Sequence, residues 1–252
     1  MKNILNKKLV ERYSRQIVLK DVGPTGQKKI INSKVLVVGA GGLGCPVIDY
    51  LSRAGVGNIG VVDNDKVNIS NIHRQSIYSS KDIGKFKVNV VKQKIKLINP
   101  QVKIKTFKLR VNKKNIEEIS KSYDFIVDGS DNFKTKFLLN KYCLNHKKIL
   151  IVGAISKMDG HIFTFDYKNK NNPCLKCFYQ TEPSDEILNC EYEGILGPVA
   201  GIVGNIQAIE VLKKILKIGD KSSKKILIID LSKLDFRRVE FKKKAGCICK
   251  KL

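Results

Sequence analysis

The chain has 252 residues, is 42% hydrophobic, and carries 48 Lys and Arg against 23 Asp and Glu, a formal charge of +25. That size allows one large α/β domain or two small ones, and no run approaches the ~18 apolar residues of a membrane helix. Lysine is spread through every segment, with abundant Ile and Asn and no Trp. The charge therefore reads as compositional drift, without the interleaved aromatic platform of dedicated nucleic-acid binding.

Met1–Lys8 has no apolar signal core, so a cytoplasmic location is expected. Leu9–Leu19 has the spacing of a short amphipathic helix carrying Arg12 and Arg15. Gly23-Pro24 marks a turn, and Gly26–Ile31 suits another short helix. Val35–Val38 is a run of mostly β-branched residues, the composition of a strand buried on both faces. Gly39, Gly41, Gly42 and Gly44 follow at once, and Pro46 fits the first turn of a helix. Val47, Leu51 and Ala54 give that helix an inward stripe, Gly55 and Gly57 end it, and Asn58–Val62 reads as the next strand. Asp63 stands 19 residues after Gly44. Glycines let backbone approach a phosphate at a helix N-terminus, and a carboxylate in that place accepts ribose hydroxyls. The pattern predicts a nucleotide-binding βαβ unit, but it fits NAD or FAD as well as ATP.

Lys66–Asp82 is too rich in polar donors for a core and for an idle linker. Gly84–Ile98 has helical periodicity through Val88, Val91, Ile95 and Ile98, and Pro100 stops it. Val102–Leu109 alternates as a strand, Asn112–Ser120 reads as a capped helix, and Tyr123–Val127 as a buried strand. Asp128–Asn132 follows, then a helix over Phe133–Asn145 and a strand over Ile149–Val152. Ligands of open α/β sheets lie off the carboxyl ends of strands, which would bring the glycine loop, Asp63–Asp65 and Asp128–Asp131 to one crevice. The second half changes texture. Gly160–Tyr167 alternates, Cys174–Cys177 holds a close thiol pair, and Gln180–Leu196 is polar and irregular with Cys190 inside it. Gly197–Ile218 reads as a long helix, and Ile226–Ile229 and Phe236–Phe241 as closing strands before AGCICKKL. No repeat and no clear linker is visible, so one continuous domain is expected.

Together these segments resemble the bacterial ThiF/MoeB family, relatives of the catalytic domain of ubiquitin-activating enzymes. The resemblance runs through RYSRQI at Arg12–Ile17, VGAGGLG at Val38–Gly44 and AGVGNIGVVDNDKVNISNIHRQ at Ala54–Gln75. It continues in DIGKFKV at Asp82–Val88, INPQV at Ile98–Val102, VDGSDN at Val127–Asn132 and CLKC at Cys174–Cys177. NCEYEGILGPVAGIVGNIQAIE at Asn189–Glu210 and GCIC at Gly246–Cys249 complete it. The resemblance implies a Rossmann-like, mostly parallel α/β sheet flanked by helices, with a mostly antiparallel C-terminal extension and a four-cysteine zinc site. It divides the single adenylation domain into an N-terminal helical arm (1–33), a nucleotide-binding half (34–155) and a carrier-binding half (156–252).

The implied reaction uses ATP and Mg²⁺ to adenylate the C-terminal glycine of a small ubiquitin-like sulfur carrier, of the ThiS type or alternatively the MoaD type. By the family pattern Gly42 lies at the phosphates, Asp63 holds the ribose with Asp65 beside it, Arg74 and Lys87 contact phosphates, and Asp131 binds Mg²⁺. Ser70, Asn71 and Gln75 complete the polar wall. Arg15 reaches the partner's triphosphate in a homodimer, and a sulfur donor such as a cysteine desulfurase is an expected partner. Cys174, Cys177, Cys247 and Cys249 resemble the family's structural zinc site, although the second pair here has one intervening residue where two are usual. Cys190 stands where thiazole-pathway members keep a cysteine that joins the carrier, and molybdopterin-pathway relatives have one there too. Cys45 and Cys143 fall within helices as core residues. Two rival classes are an NAD-dependent oxidoreductase and a non-catalytic nucleotide-dependent scaffold. The first lacks an evident catalytic Tyr–Lys or His pair, and the second would require an eroded ATP site.

Overall fold

The computed structural model describes residues 5–183, 194–219 and 223–250. Five strands, β1 (Lys34–Val38), β2 (Asn58–Val62), β3 (Lys103–Phe107), β4 (Phe125–Asp128) and β5 (Ile149–Ser156), pair in parallel. Three more, β6 (Asp159–Asp166), β7 (Lys225–Asp230) and β8 (Asp235–Glu240), extend the sheet antiparallel. The spatial order is β3-β2-β1-β4-β5-β6-β7-β8. The order reverses at β1 and β4, both of which end beside the glycine loop.

Both faces are covered, which explains the unbroken apolar runs of the central strands. Val35 and Val37 enter one core with α4 (Gly44–Ala54), α5 (Lys87–Ile98) and a long helix over Gly197–Leu216. Leu36 and Val38 enter the other, beside α6 (Ile116–Ser120) and α7 (Phe133–Asn145). Each such side chain, fully buried, contributes about 1.5–3 kcal/mol. Cys45 and Cys143 are buried in these cores as expected. Among the described residues no helix is long and apolar enough to cross a membrane.

Several expected boundaries move, each for a visible reason. The arm is two helices, α1 (Lys7–Arg12) and α2 (Ser14–Ile17), broken at Tyr13. Tyr13 turns inward, 2% exposed, and its hydroxyl accepts a hydrogen bond from Asn99 Nδ2 at 2.9 Å. Its ring lies against Gly55, where a Cβ would stand 2.5 Å away. Gly23-Pro24 opens α3 (Gly23–Asn32) rather than preceding it, with Pro in the first turn. Residues 84–86 pair with 66–67 through Gly84 N–H to Val67 O and Val67 N–H to Lys85 O, both 2.9 Å, so α5 starts three residues later than periodicity suggests. Asn112 accepts the Lys114 and Asn115 N–H groups in a local turn, which delays α6 to Ile116. Strand β5 runs on to Ser156 because β6 pairs along its whole length.

The second half holds α8 (Leu175–Phe178) and α9, the helix Gly197–Leu216. Pro198 lies in the first turn of α9, and Lys217 closes it in the left-handed region.

Candidate functional site

Strand β1 ends at Val38, and Gly39 turns the chain at φ +93. At Gly44, the start of α4, a Cβ would sit 1.9 Å from the Gly39 carbonyl oxygen. The loop between them is fastened by Asp63, the residue after β2: its Oδ2 accepts the Ala40 N–H at 2.7 Å, while its Oδ1 accepts the Asp65 N–H at 2.8 Å. Burial raises the Asp63 carboxyl above the ordinary Asp value, opposed by the Lys87 ammonium and these two N–H groups.

The loop is one wall of a cleft of about 490 Å³ off the carboxyl ends of the parallel strands. Of the expected residues, Gly42, Asp63, Asp65, Asn71, Arg74, Gln75, Lys87 and Asp131 line it. Lys87, its side chain 6% exposed, reaches Asp65 Oδ2 at 3.0 Å. Arg74 Nη1 donates to Ser70 O and to His73 Nε2, both at 2.8 Å. Guanidinium cannot accept, so in this contact the His73 ring nitrogen is the acceptor. Gln75 is 3% exposed, and its Oε1 has no partner among the described residues, leaving a buried acceptor on the cleft wall. Such an atom calls for a ligand donor or water.

Asp128–Asn132, at the end of β4, lies beside the loop, with the Gly129 N–H donating to the Val38 carbonyl at 2.9 Å, and Gly129–Asn132 line the same cleft. Asn132 caps α7 by accepting the Thr135 N–H at 2.9 Å. Asp131 is exposed and accepts from Asn132 Nδ2 at 3.2 Å. Asp128 is fully buried and paired with Lys136 at 3.1 Å. The cleft thus carries the cations Arg74, Lys87 and Arg110 against the carboxylates Asp63, Asp65 and Asp131. Cations suit a polyphosphate, and an exposed carboxylate suits its divalent counter-ion.

Ser70 does not line the cleft, and its carbonyl holds Arg74 from behind. Arg15 is exposed on α2 and is also absent from the lining. Cys190 lies outside the described residues. Leu109, Arg110, Val111, Thr135 and Ala154 line the cleft without having been singled out. Leu109–Val111 follow β3, so the strand-end rule that found Asp63 would have found them.

In the second half, the Sγ atoms of Cys174, Cys177, Cys247 and Cys249 lie within 4.8 Å of one another. Cys174 and Cys247 are 3.5 Å apart, Cys177 and Cys249 3.4 Å. A tetrahedron with Zn–S bonds of ~2.3 Å has edges of ~3.8 Å, so four convergent sulfurs fit zinc despite the single residue between Cys247 and Cys249. A short 3-10 turn, Ile248–Lys250, closes that spacing. Burial pushes the Cys174 thiol up and the Cys249 thiol to about 12. A cation among them would be what holds them as thiolates.

A family model described as the ThiF family matches residues 13–249. A sulfur carrier protein adenylyltransferase of Thermus thermophilus is 37% identical over 245 residues, covering 96% of this chain and 90% of that protein. The adenylyltransferase and sulfurtransferase MOCS3 of Drosophila virilis is 39% identical over 241 residues, 95% of this chain. The chain spans about half of MOCS3, 53% of its length. Among solved structures, Escherichia coli MccB with ATP superposes with a TM-score of 0.83 at 22% identity, over 96% of this chain and 75% of that one. At that identity the likeness is one of fold.

Proposed function

The chain belongs to the ThiF family, and from that premise we propose which carboxylate it activates and how the cleft does so. It is an adenylyltransferase, and its acceptor is a small ubiquitin-like sulfur carrier, as the names of its relatives suggest. The carrier's C-terminal carboxylate attacks the α-phosphorus of ATP, an acyl-adenylate forms, and pyrophosphate leaves. Attack joins two anions, so the site's work is to neutralise phosphate charge and hold the reactants in line. Arg74 and Lys87 take the phosphates, Asp63 accepts the ribose hydroxyls, and Gln75 offers its unpartnered oxygen to a ligand donor. Asp131 is the residue to hold magnesium, which would neutralise charge on the leaving pyrophosphate. The four cysteines would hold structural zinc. Cys190 is assigned the later covalent step with the carrier. Arg15 is assigned to the partner subunit's site in a homodimer.

The observation that carries this reading is the gathering of Arg74 and Lys87 with Asp63 and Asp131 on one glycine-lined cleft. A dinucleotide oxidoreductase would have little use for that charge set.

We propose a ThiS-type carrier, on the resemblance of ILGPVAGIVGN at Ile195–Asn205 to the thiazole-pathway form. A MoaD-type carrier is the second reading, favoured by the similarity to MOCS3. ATP–pyrophosphate exchange with ThiS-type and MoaD-type carriers offered separately decides between them. Exchange with the ThiS type alone supports the proposal, and exchange with the MoaD type alone replaces it. Absence of exchange with both, in protein that binds ATP, would overturn carrier adenylation.

A further inference from the structure

Lys136, in the first turn of α7, is 1% exposed. Its ammonium group donates to Asp128 Oδ2 at 3.1 Å, to the Ser130 carbonyl at 2.7 Å and to the Gly153 carbonyl at 2.7 Å. Three donors meet three acceptors. Asp128 is equally complete: Oδ1 accepts the Ser130 N–H at 2.9 Å and its hydroxyl at 2.5 Å. The Asp128 carbonyl accepts from Gln207 Nε2 of α9 at 2.9 Å. Buried ion pairs are seldom needed for stability, since apolar residues of similar volume often serve as well. What this pair does is better read from what it joins. It binds the end of β4 and the middle of β5 to the loop between β4 and α7, and it grips the carbonyl of the peptide bond that leads into Asp131.

We propose that Lys136 is a positioning residue for Asp131. It fixes the Ser130–Asp131 peptide so that the Asp131 carboxylate faces the cleft. It also cancels the neighbouring charge of Asp128, so that Asp131 is the loop's one uncompensated carboxylate toward a divalent cation. Lys136 is not among the residues lining the cleft and touches no reactant. The proposal rests on the adenylation reading, in which Asp131 holds magnesium.

The test compares wild type with Lys136→Met, Lys136→Arg and the double variant Asp128→Asn/Lys136→Met, which leaves no buried charge. Each is checked for folding by circular dichroism and then assayed by pyrophosphate exchange against Mg²⁺ and ATP. In the folded double variant the Mg²⁺ concentration for half-maximal rate should rise about tenfold. Its kcat should fall about 10- to 100-fold, the scale of a misplaced reacting group, while KM for ATP stays within about threefold. Lys136→Arg keeps the charge but not the three-way donor geometry, and should lie between wild type and the double variant. A purely structural lysine would lower the melting temperature and leave the Mg²⁺ requirement alone. A folded double variant with unchanged Mg²⁺ requirement overturns the proposal. If the double variant does not fold, the same criterion applies to Lys136→Arg. Should wild type give no exchange with any carrier, the adenylation reading fails separately. Mg²⁺-dependent ATP binding by calorimetry then tests Lys136 for the same tenfold shift.

Discussion

At Asp63 the carboxylate already accepts two backbone N–H groups, from Ala40 and Asp65, within the chain itself. Burial raises its pKa against the opposing charge of Lys87. The folded state therefore holds this proton more tightly than the unfolded chain does. Protonated Asp63 favours the fold below its unfolded value, and that contribution is lost as pH rises through the raised folded value. Ligand binding runs the other way. Accepting ribose hydroxyls uses the lone pairs of the ionised form, so ATP affinity should drop as pH falls through the same raised value. Calorimetric titration with ATP from about pH 7 to pH 4.5, around and above the ordinary Asp range, checks this. Asp63→Asn should bind roughly tenfold more weakly at neutral pH, the scale of one charge-assisted hydrogen bond. The gap to wild type should close on acidification. The comparison cancels titration of the triphosphate, and a gap independent of pH would remove Asp63 from the ribose.

The element that organises the cleft, the loop from β1 into α4, uses its glycines for two separable purposes. At Gly44 a Cβ would meet the Gly39 carbonyl at 1.9 Å, whereas at Gly41 the nearest atom is Gln75 Nε2 at 3.8 Å, across the cleft wall. Gly44→Ala should cost at least ~2 kcal/mol, since backbone has to move. Gly41→Ala should leave the melting temperature unchanged or slightly higher, because it restricts the unfolded chain. It should still weaken ATP binding, because the new methyl group stands where a phosphate approaches. Thermal denaturation and ATP titration of the pair measure this, and equal thermal losses would contradict it. Such a loop was legible in the sequence because its signals are local: a β-branched run, closely spaced glycines, Pro46, and Asp63 at the next strand end. Boundaries that depend on distant partners were not. The break at Tyr13 depends on Asn99, 86 residues away, and the late start of α5 on pairing with 66–67. Lys136 gives no local sign, because a lysine in a lysine-rich helix reads as solvated until β4 and β5 close over it.

Across the whole molecule, the cleft gathers charge from the segments that follow β2, β3 and β4 and from the start of α5, yet Arg15 stands apart on the arm. Val18 and Leu19, just beyond it, are 75% and 56% exposed, an apolar pair that the described residues leave uncovered. On the proposed reading a second copy covers it, and Arg15 completes the partner's cleft. Arg15→Ala and Asp131→Ala should each abolish carrier-dependent exchange, one by removing positive charge near the phosphates and the other by removing the metal partner. If the two inactive proteins are mixed and subunits exchange at random, half of the dimers are hybrids. In each hybrid one site carries both lesions, and the other draws an intact Arg15 from one chain and an intact Asp131 from the other. One working site in four restores activity to roughly a quarter of wild type, as a shared twofold interface requires. Recovery should follow hybrid formation, measured by native mass spectrometry, and not simple addition of protein. Verified hybrids without recovery would put Arg15 in its own subunit's site or outside the chemistry, and a monomer in solution would remove the shared site altogether.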